Sequence, residues 1–220
     1  MKAGAGTLHF TASNTYAGGT TINAGTLALN RAGNGTGGTI TGTIAINGGT
    51  LLLGQANQIS DSSAITLAGG SINTAGFADR AGKLTVNANS AISGLVATTG
   101  GAAAPTTDFL FSSVDLANYS TNSGASLDLG AGYGYKATIN FASSDYTGWT
   151  GYSTTSINNF ADKIMFGSTG MKAQINFNGT TGLTYITAIP EPKVYVAMAM
   201  LVALVGVTEY KRRKRALRIS

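Results

Sequence analysis

Nine acids, one histidine and no cysteine are the side chains on which acid–base, thiolate or metal chemistry would have to rest in this 220-residue sequence. Polysaccharide-cleaving sites on β-scaffolds need carboxylates paired across a glycosidic bond, or clustered around calcium. Residues 1–94 hold two acids, Asp61 and Asp79, 18 positions apart and both in turn-like contexts. If one coil of the chain takes 20 to 24 residues, the two fall on neighbouring coils and could form a pair. The Asp residues from Asp108 to Asp162 are scattered singly, and their expected role is to bond turn backbone. His9 has no second histidine to complete a triad or a metal site, and is expected to face solvent from a strand. Gly33-Asn34-Gly35-Thr36-Gly37-Gly38 has the composition of a phosphate loop but lacks the Lys and helix that must follow it. Calcium-binding nonapeptides need Asp in each Gly-rich turn, and these turns carry Asn or Ala. No catalytic residue, metal ligand or cofactor is therefore expected, and no enzyme.

The elements behind these residues are set by self-similarity. The run Thr21-Ile22-Asn23-Ala24-Gly25-Thr26-Leu27-Ala28-Leu29 returns as Ala45-Ile46-Asn47-Gly48-Gly49-Thr50-Leu51-Leu52-Leu53, an offset of 24. Looser copies follow at residues 66–73 and 85–92, offset by 21 and then 19. Leu27 with Leu29, Leu51 with Leu53, and Leu8 with Phe10 alternate as half-buried strands require. Asn-Ala-Gly and Asn-Gly-Gly between the runs accept the positive φ of a sharp turn. So short a rung cannot bury its apolar face alone, and stacked rungs close a continuous core. The expected fold is all-β: a short right-handed parallel β-helix with a β-rich C-terminal cap and a single C-terminal transmembrane helix. The competing reading is a Gly/Thr-rich antiparallel sandwich or a low-complexity spacer.

The residues from Gly6-Thr7-Leu8 through Asn14-Thr15-Tyr16-Ala17-Gly18-Gly19-Thr20 to Ile22-Asn23-Ala24-Gly25-Thr26-Leu27 resemble the autotransporter-associated β-strand repeat. That resemblance implies an extracellular β-helical passenger or stalk. Later copies keep only the second half of the pattern.

Four segments are expected: β-helical repeats over 1–94, a linker or long loop over 95–107, a β-rich capping region over 108–189, and a tail over 190–220. The capping region holds most of the aromatics, among them Phe109, Phe111, Tyr133, Tyr135, Phe141, Tyr146, Trp149, Phe160, Phe166 and Phe177. Flat rings stack on sugars, so a carbohydrate platform is one reading; covering the exposed last rung is the favoured one. The segment from Tyr146 to Gly167 also resembles the terminal unit that follows such repeats in sorted surface proteins.

In the tail, Pro190-Glu191-Pro192 precedes an apolar run from Val194 to Val207, then Thr208-Glu209-Tyr210 and the basic cluster Lys211, Arg212, Arg213, Lys214 and Arg215. Residues 194–210 as a helix would reach about 26 Å, enough to span narrowly. The basic cluster would hold that end in the cytoplasm and leave residues 1–189 outside. The order of motif, apolar run and cations resembles the PEP-CTERM sorting signal of Gram-negative bacteria. The resemblance implies recognition of Pro190, Glu191 and Pro192 by exosortase, a membrane protease-transpeptidase, followed by removal of the tail. It further implies an inner-membrane intermediate and a final place at the cell surface or in extracellular matrix, biofilm or floc, with extracellular polysaccharide as a partner. A permanent anchor is the alternative. Passenger secretion through an outer-membrane barrel would need a C-terminal domain of amphipathic strands instead.

Charge agrees with a neutral body. Lys193 and the six cations from Lys211 to Arg218 account for seven of 14, and Glu191 and Glu209 for two of nine acids, which leaves residues 1–189 with seven of each sign. Phosphate backbones bind by releasing counterions to Lys and Arg, so no nucleic-acid partner is expected. Met1-Lys2-Ala3-Gly4-Ala5-Gly6 enters the first repeat without the apolar core of an export signal, and a truncated start is expected.

Overall fold

The computed structural model describes residues 1–16, 18–32, 38–95, 109–116, 125–129, 139–141, 149, 151–180 and 182–189. Most of the expected linker, the Gly33–Gly38 loop apart from Gly38, the sorting motif Pro190, Glu191 and Pro192, the apolar run 194–210 and the basic cluster Lys211, Arg212, Arg213, Lys214 and Arg215 lie outside the described residues.

Very short strands alternate between two sheets. One sheet takes β1 (Thr7–Phe10), β3 (Thr26–Leu29), β5 (Thr50–Leu53), β7 (Ser71–Asn73), β9 (Ser90–Ser93), β11 (Leu127–Asp128) and β13 (Ile164–Met165), ordered β1-β3-β5-β7-β9-β11-β13. The other takes β2 (Thr20–Ile22), β4 (Ile44–Ile46), β6 (Ile65–Ala68), β8 (Asp79–Ala88), β10 (Phe109–Val114), β12 (Ile139–Phe141), β14 (Lys172–Asn178) and β15 (Leu183–Ile189), ordered β14-β15-β12-β10-β8-β6-β4-β2. Neighbours from β1 to β13 pair in parallel, and each coil contributes one strand to each sheet. This is a parallel β-solenoid, and the antiparallel sandwich is not what forms.

Register converts the sequence repeat into columns. Leu27 stacks on Leu51, Leu51 on Ile72 and Ile72 on Ile92; Ile22 stacks on Ile46, Ile46 on Leu67 and Leu67 on Val86. All eight are buried. Each column removes a continuous apolar strip from water, and neighbouring coils supply the contacts that one coil lacks. Between β6 and β8 the register slips after Leu67, where Ala68 faces Ala88. The bulge turns an offset of 19 into 20, which is how Ile72 still meets Ile92.

Turns between coils approach closely. A Cβ added at Gly49 would lie 2.6 Å from Ile22 Cγ2 and 2.7 Å from the Gly25 carbonyl oxygen of the coil before. Gly49→Ala is therefore expected to lower stability by about 1–3 kcal/mol, the usual effect of overpacking, read as a lower midpoint in urea. An unchanged midpoint would mean that the coils are not in contact there.

The ladders run on past Gly94. β10 pairs with β8 and β11 with β9, so the segment expected as a cap carries further coils of the stack. True closure comes later, where β15 pairs antiparallel with β12 and β14 follows it in the sheet. A helix, α1 (Thr154–Asp162), interrupts this region. Ser153 caps it: its hydroxyl accepts from the Ser156 N–H while Ser156 Oγ accepts from the Ser153 N–H. Ile157 and Phe160 form its buried side, and Phe160 meets Trp149 edge-on at 6.3 Å. Among the described residues no helix is long and apolar enough to cross a membrane.

Candidate functional site

The residues with the most unusual environment lie along one corner of the stack. Gln58 is buried in the turn between β5 and β6, and its amide is fully engaged. Gln58 Oε1 accepts from the Thr39 hydroxyl at 2.7 Å and the Arg31 N–H at 2.9 Å, while Nε2 donates to the carbonyls of Ala56 and Arg31. Asn57 takes a left-handed conformation, φ 55°, which turns the chain into this position. The isolated bridge Ile40–Ile59 joins the same two coils. One coil further on, Asp79 opens β8, and its carboxylate reaches back to the Gln58 turn. Oδ2 accepts from the N–H groups of Gln58 at 2.7 Å and Ile59 at 3.2 Å, and Oδ1 from the N–H of Arg80 at 2.7 Å. Thr39, Gln58 and Asp79 thus make a buried polar column across three coils.

Burial raises the Asp79 carboxyl to about 7, because desolvation outweighs the three N–H donors that favour the charged form; the Asp61 charge pushes the same way as burial. The two acids are close enough to sense each other, as neighbouring coils allow. They do not form a paired acid–base site: Asp61 is exposed on its turn, whereas Asp79 is only 2% exposed. Asp79 bonds backbone on both coils: Oδ2 reaches the preceding coil at Gln58 and Ile59, and Oδ1 the N–H of its own neighbour Arg80. Gln58 was not singled out by sequence, because a lone Gln between Asn57 and Ile59 carries no pattern.

His9 is exposed, with its Nδ1 2.9 Å from Asn30 Nδ2. Among the described residues no group of three or more His, Asp or Glu is placed to hold a metal. Among the described aromatics of the expected capping region, Phe109, Phe111, Trp149, Phe160 and Phe166 are buried, whereas Phe177 is exposed. Tyr133, Tyr135 and Tyr146 lie outside the described residues.

On the outer surface a shallow polar trough of about 400 Å³ crosses several coils, lined by Gly49, Thr50, Gly70, Ser71, Ser126 and Asp128. The Thr50 and Ser71 hydroxyls are 2.9 Å apart. Asn89 Oδ1 accepts from both the N–H and the hydroxyl of Ser126 at 3.0 Å. Asp128 Oδ1 accepts from the Gly167 N–H at 2.8 Å.

Residues 2–29 match the family model of the passenger-associated-transport-repeat. The match covers β1, β2 and β3, the stretch where Gly6 to Leu27 carries the autotransporter-associated pattern, and it supports that repeat. Neither the curated proteins nor the solved structures contain a significant match to the chain.

Proposed function

We propose that this chain is an exported, non-catalytic structural or adhesive module of the cell surface or extracellular matrix, sorted by its C-terminal segment. The observation that carries the reading is the passenger-associated repeat at residues 2–29, built into a parallel solenoid. Such a stack, with its apolar columns shielded coil by coil, is suited to a rigid and protease-resistant stalk. Right-handed winding is part of the proposal, in line with the hand of parallel crossovers. The formally neutral body favours a role without nucleic acid. The polar trough offers hydroxyls and backbone to a partner such as extracellular polysaccharide.

In this reading Pro190, Glu191 and Pro192 are recognised by an exosortase-type protease of a Gram-negative bacterium, while residues 194–210 hold the intermediate in the inner membrane. Lys211, Arg212, Arg213, Lys214 and Arg215 keep its end in the cytoplasm. The test expresses the gene with its genomic upstream region, in cells with and without the sorting protease, and determines the mature C-terminus by mass spectrometry. Loss of the tail only where the protease is present is the expected result. An intact tail in both strains would replace sorting with a permanent anchor.

The second reading, a polysaccharide lyase or glycosidase, is favoured by one observation, the electrostatic reach between Asp61 and Asp79 on neighbouring coils. Against it, the Asp79 oxygens are buried and already accept three backbone N–H groups. Polymer cleavage abolished by Asp61→Asn would restore that reading.

A further inference from the structure

Three asparagines of this chain precede glycine, Asn34, Asn47 and Asn178, and Asn34 lies outside the described residues. An Asn-Gly pair carries its own reactants: an amide carbon that can be attacked and, next to it, a peptide nitrogen that no Cβ shields. What differs between the two described pairs is how the fold holds them. Asn47 sits in the turn between β4 and β5, clamped by the coil before it. Its N–H donates to the Ile22 carbonyl at 2.8 Å, and its side-chain Nδ2 donates to Asn23 Oδ1 at 2.9 Å. A Cβ on Gly48 would lie 2.9 Å from the Asn23 carbonyl oxygen, so the Gly48 peptide is pressed against that coil.

Asn178 ends β14, and the chain turns from there into β15, its neighbour in the sheet. Asn178, Gly179 and Thr180 are exposed. Asn178 Oδ1 accepts from the Thr180 N–H at 2.9 Å, which folds the amide back over its own following peptide. The Asn178 carbonyl accepts from the Gly182 N–H at 2.8 Å, and Gly182 takes φ 67°, which closes the turn. Space around Gly179 is open among the described residues: a Cβ there would meet only Phe177 Cε1, at 4.0 Å. The same side-chain turn forms at Asn73, whose Oδ1 accepts from the Ala75 N–H at 2.9 Å. Its follower, however, is Thr74, β-branched and 1% exposed, with its N–H donated to the Ser93 carbonyl. Asn178 thus combines a glycine neighbour with a folded-back amide, features that Asn47 and Asn73 hold one each.

We propose that Asn178 is a site of self-modification, converted without an enzyme to aspartate and isoaspartate through a cyclic imide with Gly179. The Gly179 peptide nitrogen gives its proton to water and attacks Asn178 Cγ. A C–N bond forms, the Cγ–Nδ2 bond breaks, and Nδ2 takes up a proton and leaves as ammonia. While Cγ is tetrahedral, negative charge gathers on Oδ1, and the Thr180 N–H already points at that atom. Water then opens the imide. Attack at the Cγ carbonyl leaves aspartate; attack at the main-chain carbonyl leaves isoaspartate, whose main chain runs through Cγ and is one methylene longer. Either product places a carboxylate in the turn between β14 and β15, and residues 1–189, with seven charges of each sign, become net negative by one. The extra methylene falls inside the turn that the Gly182 N–H closes, so this turn loosens as the protein ages.

The full-length chain in mild detergent, warmed at neutral pH and sampled over days, is followed by peptide mapping with a fragmentation method that separates aspartate from isoaspartate. Conversion at Asn178 is expected to run at least tenfold faster than at Asn47, with isoaspartate among the products, while Asn73 stays an amide. In urea the two Asn-Gly pairs lose their different settings, and their rates are expected to converge. Gly179→Ala, for which the turn has room, is expected to slow conversion at Asn178 at least tenfold while leaving the far-ultraviolet circular dichroism unchanged. A folded chain in which Asn178 converts no faster than Asn47 overturns the proposal. So does undiminished conversion in Gly179→Ala, because the Gly179 peptide nitrogen would then not be the attacking group. Aspartate without isoaspartate would mean direct hydrolysis of the amide and overturns the imide. A rate gap that persists in urea would assign the difference to flanking sequence and overturn the part given to the fold.

Discussion

Phe109→Ala is expected to lower the free energy of unfolding by about 3–5 kcal/mol, the range for deleting a fully buried aromatic ring. Phe109 has no exposed surface, its ring centroid is 4.8 Å from that of Phe111, and its backbone lies between Asp79 of β8 and Ile139 of β12. Removing the ring therefore empties a fully buried site, where Phe111 and the other core residues around it lose contacts that the short strands cannot supply by relaxing. Chemical denaturation read by circular dichroism measures the loss as a lower midpoint. Because a solenoid holds together through nearest neighbours, the unfolding transition is also expected to broaden as the two halves uncouple. A ring on a sugar-binding platform behaves differently: truncating it would leave stability within about 0.5 kcal/mol. That small change would remove Phe109 from the core and return the aromatics to the surface reading.

How far the fold was legible in sequence can be followed along the chain. The offset of 24 between Ile22 and Ile46 and the offset of 21 between Leu51 and Ile72 are the registers of the ladders themselves. They were readable because coils of equal composition stack like on like, so that the physical repeat is also a textual one. The copy at residues 85–92 shows an offset of 19, and the bulge after Leu67 makes up the missing residue, a correction that backbone geometry supplies without any sequence mark. Beyond Gly94 the repeat spacing lengthens: Asp79 pairs with Phe109, 30 residues on, and Ser90 with Leu127, 37 residues on. Insertions of that size leave strands of the same kind but erase the period, so continued ladders read as a change of region. The helix α1 carries only Ile157 and Phe160 as its buried apolar residues, too few for a helical period, and its capping pair is Ser153 with Ser156 where a sequence reader looks for Glu or Gln at the second place. The polar column was legible by half. Asp61 and Asp79 could be placed on adjacent coils from spacing alone, but the partners of Asp79 are the backbone N–H groups of Gln58, Ile59 and Arg80, and backbone groups have no signature in sequence.

Raising the pH from about 4 to 7 is expected to lower the stability of the fold, with Asp79 as the cause. In the unfolded chain this carboxyl titrates near an ordinary value of about 3.9, whereas in the fold burial raises it to about 7. Below the unfolded value both states hold the proton, and the stabilisation is fully present. Through the window the unfolded chain has released its proton while the fold still binds one, so each pH unit lowers the unfolding free energy by about 1.4 kcal/mol. The full loss is on the order of 4 kcal/mol and levels off above the folded value. Three N–H donors point at the carboxylate and oppose this trend, since they favour the charged form. The sign of the slope therefore reports directly which influence wins at that corner. Thermal melts of the wild type at half-unit steps between pH 4 and 8 measure it, with Asp79→Asn as the control that keeps the shape and removes the titration. A falling melting temperature in the wild type and a flatter profile in Asp79→Asn are the expected pair. A wild-type profile that rises through the same window would mean that the donors hold Asp79 ionised, and that the buried column is built around a fixed negative charge.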